Sequence, residues 1–238
     1  MDGKVFDRIE KKYLITKDDK KQVLKTIKHY MQKDGYFKSE IYNVYFDTDN
    51  FDLIVQSIDQ PVFKHKLRAR GYKGYDRVFL EIKTKIRGRD LNPGYKRRVM
   101  ITRDDYAELV AGKRTVQELA AKSQETTNDL QIAKEVDHLI QHHNLKPKIM
   151  TIYNRESYKG DDNLRITFDE NLKYDHQNLS LNQAKHGKIY FKDKRNIIME
   201  IKAHGVLPLW LTAILSENQL YPQQFSKVGK SYEKIIKE

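Results

Sequence analysis

Cysteine is absent from this 238-residue chain. Disulfides, thiolate metal centres and zinc ribbons are therefore excluded, and the composition suits a reducing compartment. Long apolar runs are missing too. Nothing approaches the roughly eighteen apolar residues that span a bilayer, and the opening MDGKVFDRIEKKYLI lacks the apolar stretch of a signal peptide. A soluble, cytoplasmic protein is expected, one that meets a membrane only through a separate partner protein. Signatures of several function classes are also lacking. Gly229-Lys230-Ser231 copies the end of a P-loop, but the glycine that motif needs five residues earlier is Gln224. No helix-turn-helix, zinc-finger or RNP signature accompanies the basic residues, so no specific nucleic-acid partner is expected. His138 and His142 are four residues apart but lack the glutamate of an HExxH motif, and they read as surface polarity. Acid is the scarcer charge: 33 Asp+Glu against 45 Lys+Arg leave a net charge of +12, which attracts nucleic acid, anionic lipid or polyphosphate.

What the chain does have is charge at every second position of short stretches: Arg8/Glu10/Lys12, Lys66/Arg68/Arg70, Glu81/Lys83/Lys85, Lys96/Arg98, Arg165/Thr167/Asp169 and Glu200/Lys202. Residues i, i+2 and i+4 of a strand share one face. The residues between and beside them are largely apolar, among them Ile9, Leu67, Ala69, Leu80, Ile82, Val99, Ile166 and Ile201. Each stretch thus reads as a strand with one apolar and one ionic face. A single such strand is the wet side of a half-buried sheet. Repeated on so many strands, like charges in adjacent rows repel, and an anion between them would relieve the repulsion. A closed barrel of about eight strands would turn these faces into a lining, with the apolar faces packed outward on helices.

The order of elements predicts an α+β protein. A strand at 5–15 leads into a helix over roughly 17–33, capped by Thr16 and Asp19. Strands follow near 41–47, 62–72, 76–86 and 95–101, broken by turns at Gly71, Gly74, Gly88 and Asn92-Pro93-Gly94. Thr102 and Asp105 form a second capping box ahead of a short helix that Gly112 stops, and a longer helix covers roughly 128–143. This helical insertion spans about 103–144. Strands are expected at 148–158, 164–169, 188–192 and 196–203, with a polar loop from Asn171 to Gly187. Helices at about 208–237 close the chain, Pro208 standing at the first turn. No repeat or low-complexity linker divides residues 1–238, which read as a single domain.

The segments IEKKYLI (9–15), YNVYFDT (42–48), KLRARGY (66–72), FLEIKTK (79–85), YKRR (95–98), YNRESY (153–158), LRITFDE (164–170), IMEIK (198–202) and FSKVGKSY (225–232) carry a family resemblance by their order. The chain resembles the VTC (vacuolar transporter chaperone) polyphosphate polymerase domain, a branch of the triphosphate tunnel metalloenzymes. That resemblance implies a closed antiparallel barrel of about eight strands with helices outside, binding triphosphate-containing substrates through inward Lys and Arg. It implies phosphate contacts from Lys12, Arg68, Arg70, Lys83, Lys85, Lys96, Arg98, Arg155 and Arg165, with Lys66 and Lys202 alongside them. Glu200 would hold Mn²⁺ or Mg²⁺. Lys227 and Lys230, on one helix face, would help close a tunnel mouth. Arginine's planar fork orients phosphate oxygens and lysine adds compact charge. Glu10 and Glu81 read as ion-pair partners.

The resemblance implies a reaction: ATP as substrate, its γ-phosphoryl group transferred to a growing inorganic polyphosphate chain. Arg68, Arg70 and Arg155 would clamp the phosphoryl oxygens, and Lys12 and Arg165 would flank the transfer point. Alignment and charge stabilisation drive such chemistry, and the ionised acceptor oxygen needs no general base. A triphosphatase of the same fold is the alternative enzyme. Hydrolase and cyclase relatives usually carry Glu-x-Glu-x-Lys near the start, whereas this chain has Arg8-Ile9-Glu10-Lys11-Lys12. A non-catalytic module that binds polyphosphate or inositol phosphate, as an accessory subunit, is the alternative from another class.

Overall fold

The computed structural model describes residues 8–59, 62–86, 94–122, 126–181, 187–190 and 194–238. The turn expected at Gly88 and Asn92-Pro93 lies outside them, as do residues 5–7 and 191–192 of two expected strands and 182–186 of the expected loop. The chain forms two compact units. One holds the chain up to Glu40 with Tyr153–Leu172 and Ile189–Phe225; the other holds Ile41–Ile152, Lys173–Lys188 and Ser226–Glu238.

In the first unit, β1 (Arg8–Ile15) leads into α1 (Lys17–Ile27). Thr16 accepts from the Asp19 backbone while the Asp19 carboxylate accepts from the Thr16 backbone, closing the expected capping box. The helix stops short of the predicted residue 33. Tyr30 and Met31 both donate to the Ile27 carbonyl, and β2 (Gln32–Asp47) begins at once. Met31 nevertheless joins Val23 and Ile27 in the core, so the apolar stripe is completed by a turn rather than by helix. β6 (Lys146–Lys159) enters this unit at Tyr153, followed by β7 (Arg165–Asp175), β9 (Ile197–His204) and α6 (Leu209–Glu217), with Pro208 as N-cap. The antiparallel register pairs Lys12 with Glu200, Glu10 with Lys202, Thr167 with Glu200 and Arg165 with Lys202. Tyr13, Ile15, Ile166, Phe168, Met199 and Ile201 point to the other face and pack with Val23, Ile27, Leu211 and Ile214 of the helices. Alternation in the strands therefore produces the expected division, helices on the apolar face and charge on the opposite one.

The second unit contains the later part of β2, α2 (Asp52–Ile58), β3 (Phe63–Tyr72), β4 (Arg77–Ile86) and β5 (Gly94–Thr102). α3 (Arg103–Val110), α4 (Val116–Lys122) and α5 (Thr127–His143) follow, and α7 (Lys227–Ile235) belongs here too. Val44, Leu67, Ala69, Leu80, Ile82, Val99 and Ile101 face Tyr106, Leu119, Ile132 and Val136 of the insertion helices, all in one buried cluster. Two helices were not expected. The buried Asp47 carboxylate accepts from the backbone N–H groups of Thr48, Leu53 and Ile54 and holds the start of α2. Asp137, on α5, does the same for α4 through Val116 and Gln117.

Hydrogen-bonded neighbours follow the order β1-β9-β7-β6-β2-β3-β4-β5, with β8 (Lys188–Ile189) on β7. β7 runs to Asp175, into the stretch expected as loop, with Asn171 at φ 53 inside it. The fold is α+β with an antiparallel sheet. Among the described residues the order ends at β1 and β5, and no pairing closes it into the expected barrel.

Candidate functional site

Each unit carries one charged strand face, and the second unit's is the more basic. Register sets Lys66, Lys83 and Lys96 directly opposite one another across β3, β4 and β5, and Lys64 opposite Lys85. The next row reads Tyr45, Arg68, Glu81, Arg98. Glu81 is almost fully buried in its midst. Arg68 reaches its Oε2 with Nε at 2.7 Å and Nη2 at 2.6 Å, Arg70 stands at 3.9 Å, and Lys96 pairs with Oε1. Burial alone would raise the Glu81 carboxyl, but Arg68, Arg70 and Lys96 outweigh it and draw the pKa down to about 2. Lys96 is itself pushed down, by burial first and then by Arg68 and Arg70, in spite of Glu81.

Beside this row, on the same face, runs a polar relay absent from the sequence-based expectations. Thr151 Oγ1 accepts from Asn43 Nδ2 at 3.2 Å, and Asn43 Oδ1 accepts from Arg70 Nε at 2.8 Å. Asn43 and Thr151 are fully buried, and Asn43 holds Arg70 from the neighbouring strand. Tyr45 accepts from Arg68 Nη1 at 3.3 Å. Burial opposes its ionisation, but Arg68, Lys66 and Arg70 prevail and bring the phenol to about 8. The Arg98 guanidinium lies over the Phe79 ring, 4.8 Å from its centroid. Lys66 Nζ donates to Ser226, the N-cap of α7. On α7 itself, Lys230 pairs with Glu233 at 2.7 Å on an exposed surface.

The first unit's face is more evenly mixed. Lys12 lies 3.3 Å from Glu10 and donates to the Phe225 carbonyl; Lys202 lies 2.6 Å from Glu200 and 3.9 Å from Glu10. Arg155 grips the fully buried Asp169 with Nε at 2.6 Å and Nη2 at 2.7 Å. Burial would lower the Arg155 pKa, but the Asp169 carboxylate raises it well above the usual value. Arg165 donates to Ser157 and pairs with Asp34 at 3.0 Å. A cleft of about 310 Å³ near Arg155 is edged by Lys38, Glu156 and Glu170, a balance of charge ill suited to a polyanion. The face thus gathers the expected Lys12, Arg155, Arg165, Glu200 and Lys202; the second unit gathers Lys66, Arg68, Arg70, Lys83, Lys85, Lys96 and Arg98, with Lys227 and Lys230 on α7.

A family model, the VTC domain, matches residues 7–236. The chain belongs to the VTC domain family. Subunit 4 of the vacuolar transporter chaperone complex of Schizosaccharomyces pombe is 26% identical over 144 residues, 56% of this VTC domain and 20% of that subunit. The chain thus spans only a small part of that curated relative. Among solved structures, a candidate adenylyl cyclase from Hippeastrum, described as revealing a dominant triphosphatase activity, matches with TM-score 0.53 at 16% identity over 93% of both chains. A Pyrococcus horikoshii OT3 protein matches with TM-score 0.47 at 13% identity, over 95% of this chain and 99% of its own.

Whether the VTC domain could hold a divalent cation turns on Glu200. Among the described residues no group of three or more His, Cys, Asp or Glu side chains is arranged to ligate a metal. Among the described residues there is thus no protein-only cage. A hard cation bound by one carboxylate and completed by phosphate oxygens does fit a site where Glu200 stands among Lys12, Lys202 and a threonine. No helix of the described residues is long and apolar enough to cross a membrane.

Proposed function

We propose that this VTC domain is a metal-dependent polyphosphate polymerase that uses ATP. The β–γ P–O bond of ATP breaks, a new P–O–P linkage forms with the terminal oxygen of the polyphosphate chain, and ADP leaves. The observation that carries this reading is the register of Lys66, Lys83 and Lys96. Like charges directly opposite destabilise a sheet, and a ligand with a negative charge on every unit relieves each repulsion at once. A nucleotide ends after three phosphates, whereas a phosphate chain can extend past every row.

Arg68, Arg70 and Arg98 orient phosphoryl oxygens through fixed forks, with Arg70 held by Asn43 and Arg98 by the Phe79 ring. Lys83, Lys85 and Lys96 neutralise the polymer, aided by Lys66, Lys227 and Lys230. On the other face, Lys12 and Arg165 flank the transfer point, Lys202 supports them, and Arg155 acts from its grip on Asp169. Mn²⁺ or Mg²⁺, when bound at Glu200, would neutralise charge on the transferring group. The acceptor oxygen is already ionised, so a general base is unnecessary. A single domain closed into a tunnel of about eight strands belongs to this proposal. So do a cytoplasmic location and partner proteins, one of them embedded in a membrane to carry product. The naming of the fission-yeast relative as a complex subunit supports the partners.

The test is incubation with ATP and Mn²⁺, with a metal-free control, following ADP, free phosphate and long-chain polyphosphate together. ADP with polymer and little phosphate is expected. Stoichiometric phosphate would make the protein a triphosphatase, and the absence of metal-dependent turnover would leave a binding module.

A further inference from the structure

Thr167 Oγ1 is one of three buried side-chain polar atoms that have no hydrogen-bond partner among the described residues; the other two lie on α3. Its surroundings make the omission informative. On β7 the flanking residues of the same face are engaged, Arg165 with Ser157 and Asp34, and Asp169 with Arg155. Directly across the ladder stands Glu200, whose carboxylate lies 2.6 Å from Lys202. A buried hydroxyl without a partner costs free energy, and a partner gained in another arrangement of the site would offset that cost.

We infer that Thr167 is a positioning residue for Glu200, and this rests on the reading of Glu200 as the cation-holding carboxylate. When Glu200 leaves Lys202 to take a divalent cation, its carboxylate swings toward β7 and accepts the Thr167 hydroxyl. An ionised carboxylate offers about four acceptor positions, enough for a cation and a hydroxyl together. Lys202 is then released to phosphate. The hydroxyl oxygen is enclosed while Thr167 as a whole is 4% exposed. A ligand entering from solvent does not reach that atom. Glu200, its direct cross-strand neighbour, is placed by register to do so once its carboxylate turns away from Lys202. Groups that orient a metal-holding side chain typically change affinity 10- to 100-fold when removed.

The experiment is a titration of the full chain with Mn²⁺ alone, read by electron paramagnetic resonance of the free ion, with melting temperature recorded with and without Mn²⁺. Four proteins are compared: wild type, Thr167→Val, Thr167→Ser and Glu200→Gln. Thr167→Val is expected to fold as well as wild type without metal and to bind Mn²⁺ about ten-fold more weakly. Thr167→Ser, which keeps the hydroxyl, should stay within about two-fold. Glu200→Gln should lose the site. If Val binds as wild type while Glu200→Gln fails, Thr167 positions nothing, and the metal reading survives. If Ser weakens binding as much as Val, packing rather than the hydroxyl matters and the inference is overturned. If Glu200→Gln binds normally, the metal reading itself is wrong and the inference falls with it.

Discussion

Glu81 and Glu200 occupy matching places, each a carboxylate in the middle of a charged strand face, and their neighbours differ. Glu81 has arginine opposite on both sides, Arg68 and Arg98, with Arg68 closing a two-point contact on it. Glu200 has Lys12 on one side and Thr167 on the other. The Arg68 fork on one oxygen and Lys96 on the other saturate Glu81 and fix it; a lysine and an unpartnered hydroxyl leave Glu200 able to change partners. The first arrangement suits a structural anchor for surrounding cations. The second suits a group that exchanges a protein partner for a ligand.

The largest expected effect separates these two roles. Glu81→Gln leaves Arg68, Arg70 and Lys96 facing one another and should cost about 3 kcal/mol of stability, measured by urea unfolding. Glu200→Gln should cost less than about 1 kcal/mol while abolishing Mn²⁺-dependent turnover. Equal losses of stability would erase the contrast. The same anchor has a pH signature. Its folded pKa of about 2 lies below the ordinary 4.5, so its stabilisation is full above 4.5 and is lost as pH falls toward 2. That acid limb should be missing in Glu81→Gln.

A smaller effect tests whether fixity on the Glu81 face comes from the buried Asn43 opposite Arg70. Asn43→Leu removes the group that holds Arg70 and leaves Thr151 unpaired. A loss of about 1–2 kcal/mol and several-fold weaker tripolyphosphate binding by calorimetry are expected. Unchanged binding would mean Arg70 needs no support. Tyr45 gives a finer probe. Its phenol, lowered to about 8, forms a phenolate among the cations as pH rises through 8, so tripolyphosphate binding should weaken there and stay level in Tyr45→Phe. The stability sign is opposite: a depressed folded pKa adds stability between pH 8 and 10, and it is lost as pH falls through 8. The smallest effect is Lys230→Ala, whose exposed partner Glu233 makes no stability change measurable in a thermal melt.

Strands were legible because alternation is a local signal. Leu67, Ala69, Leu80 and Ile82 go to the core while Arg68, Arg70 and Glu81 go to the charged face, as their spacing demands. The α2 and α4 helices were not legible, since their starts are held by Asp47 and Asp137, the latter twenty residues and more from the N–H groups it caps. The early part of β2 was hidden by Tyr30 and Met31, which continue a helical stripe that a turn completes instead. On the site, the basic residues announced themselves by charge and by the family's segment order. Their supports did not. Asn43 and Thr151 are neutral, 108 residues apart, and meet only through the fold. Thr167 reads as an ordinary strand residue until its hydroxyl is seen to lack a partner.

Lysine facing lysine across β3, β4 and β5 also has a consequence at the bench. A sheet built this way has no single stability of its own, because any anion that prefers the folded rows adds to it by mass action. Phosphate and sulfate buffers would raise the melting temperature above that in chloride, and residual cellular anions would travel with the protein through purification. The buffer is then a component of the folded state, and a melting curve reports on both.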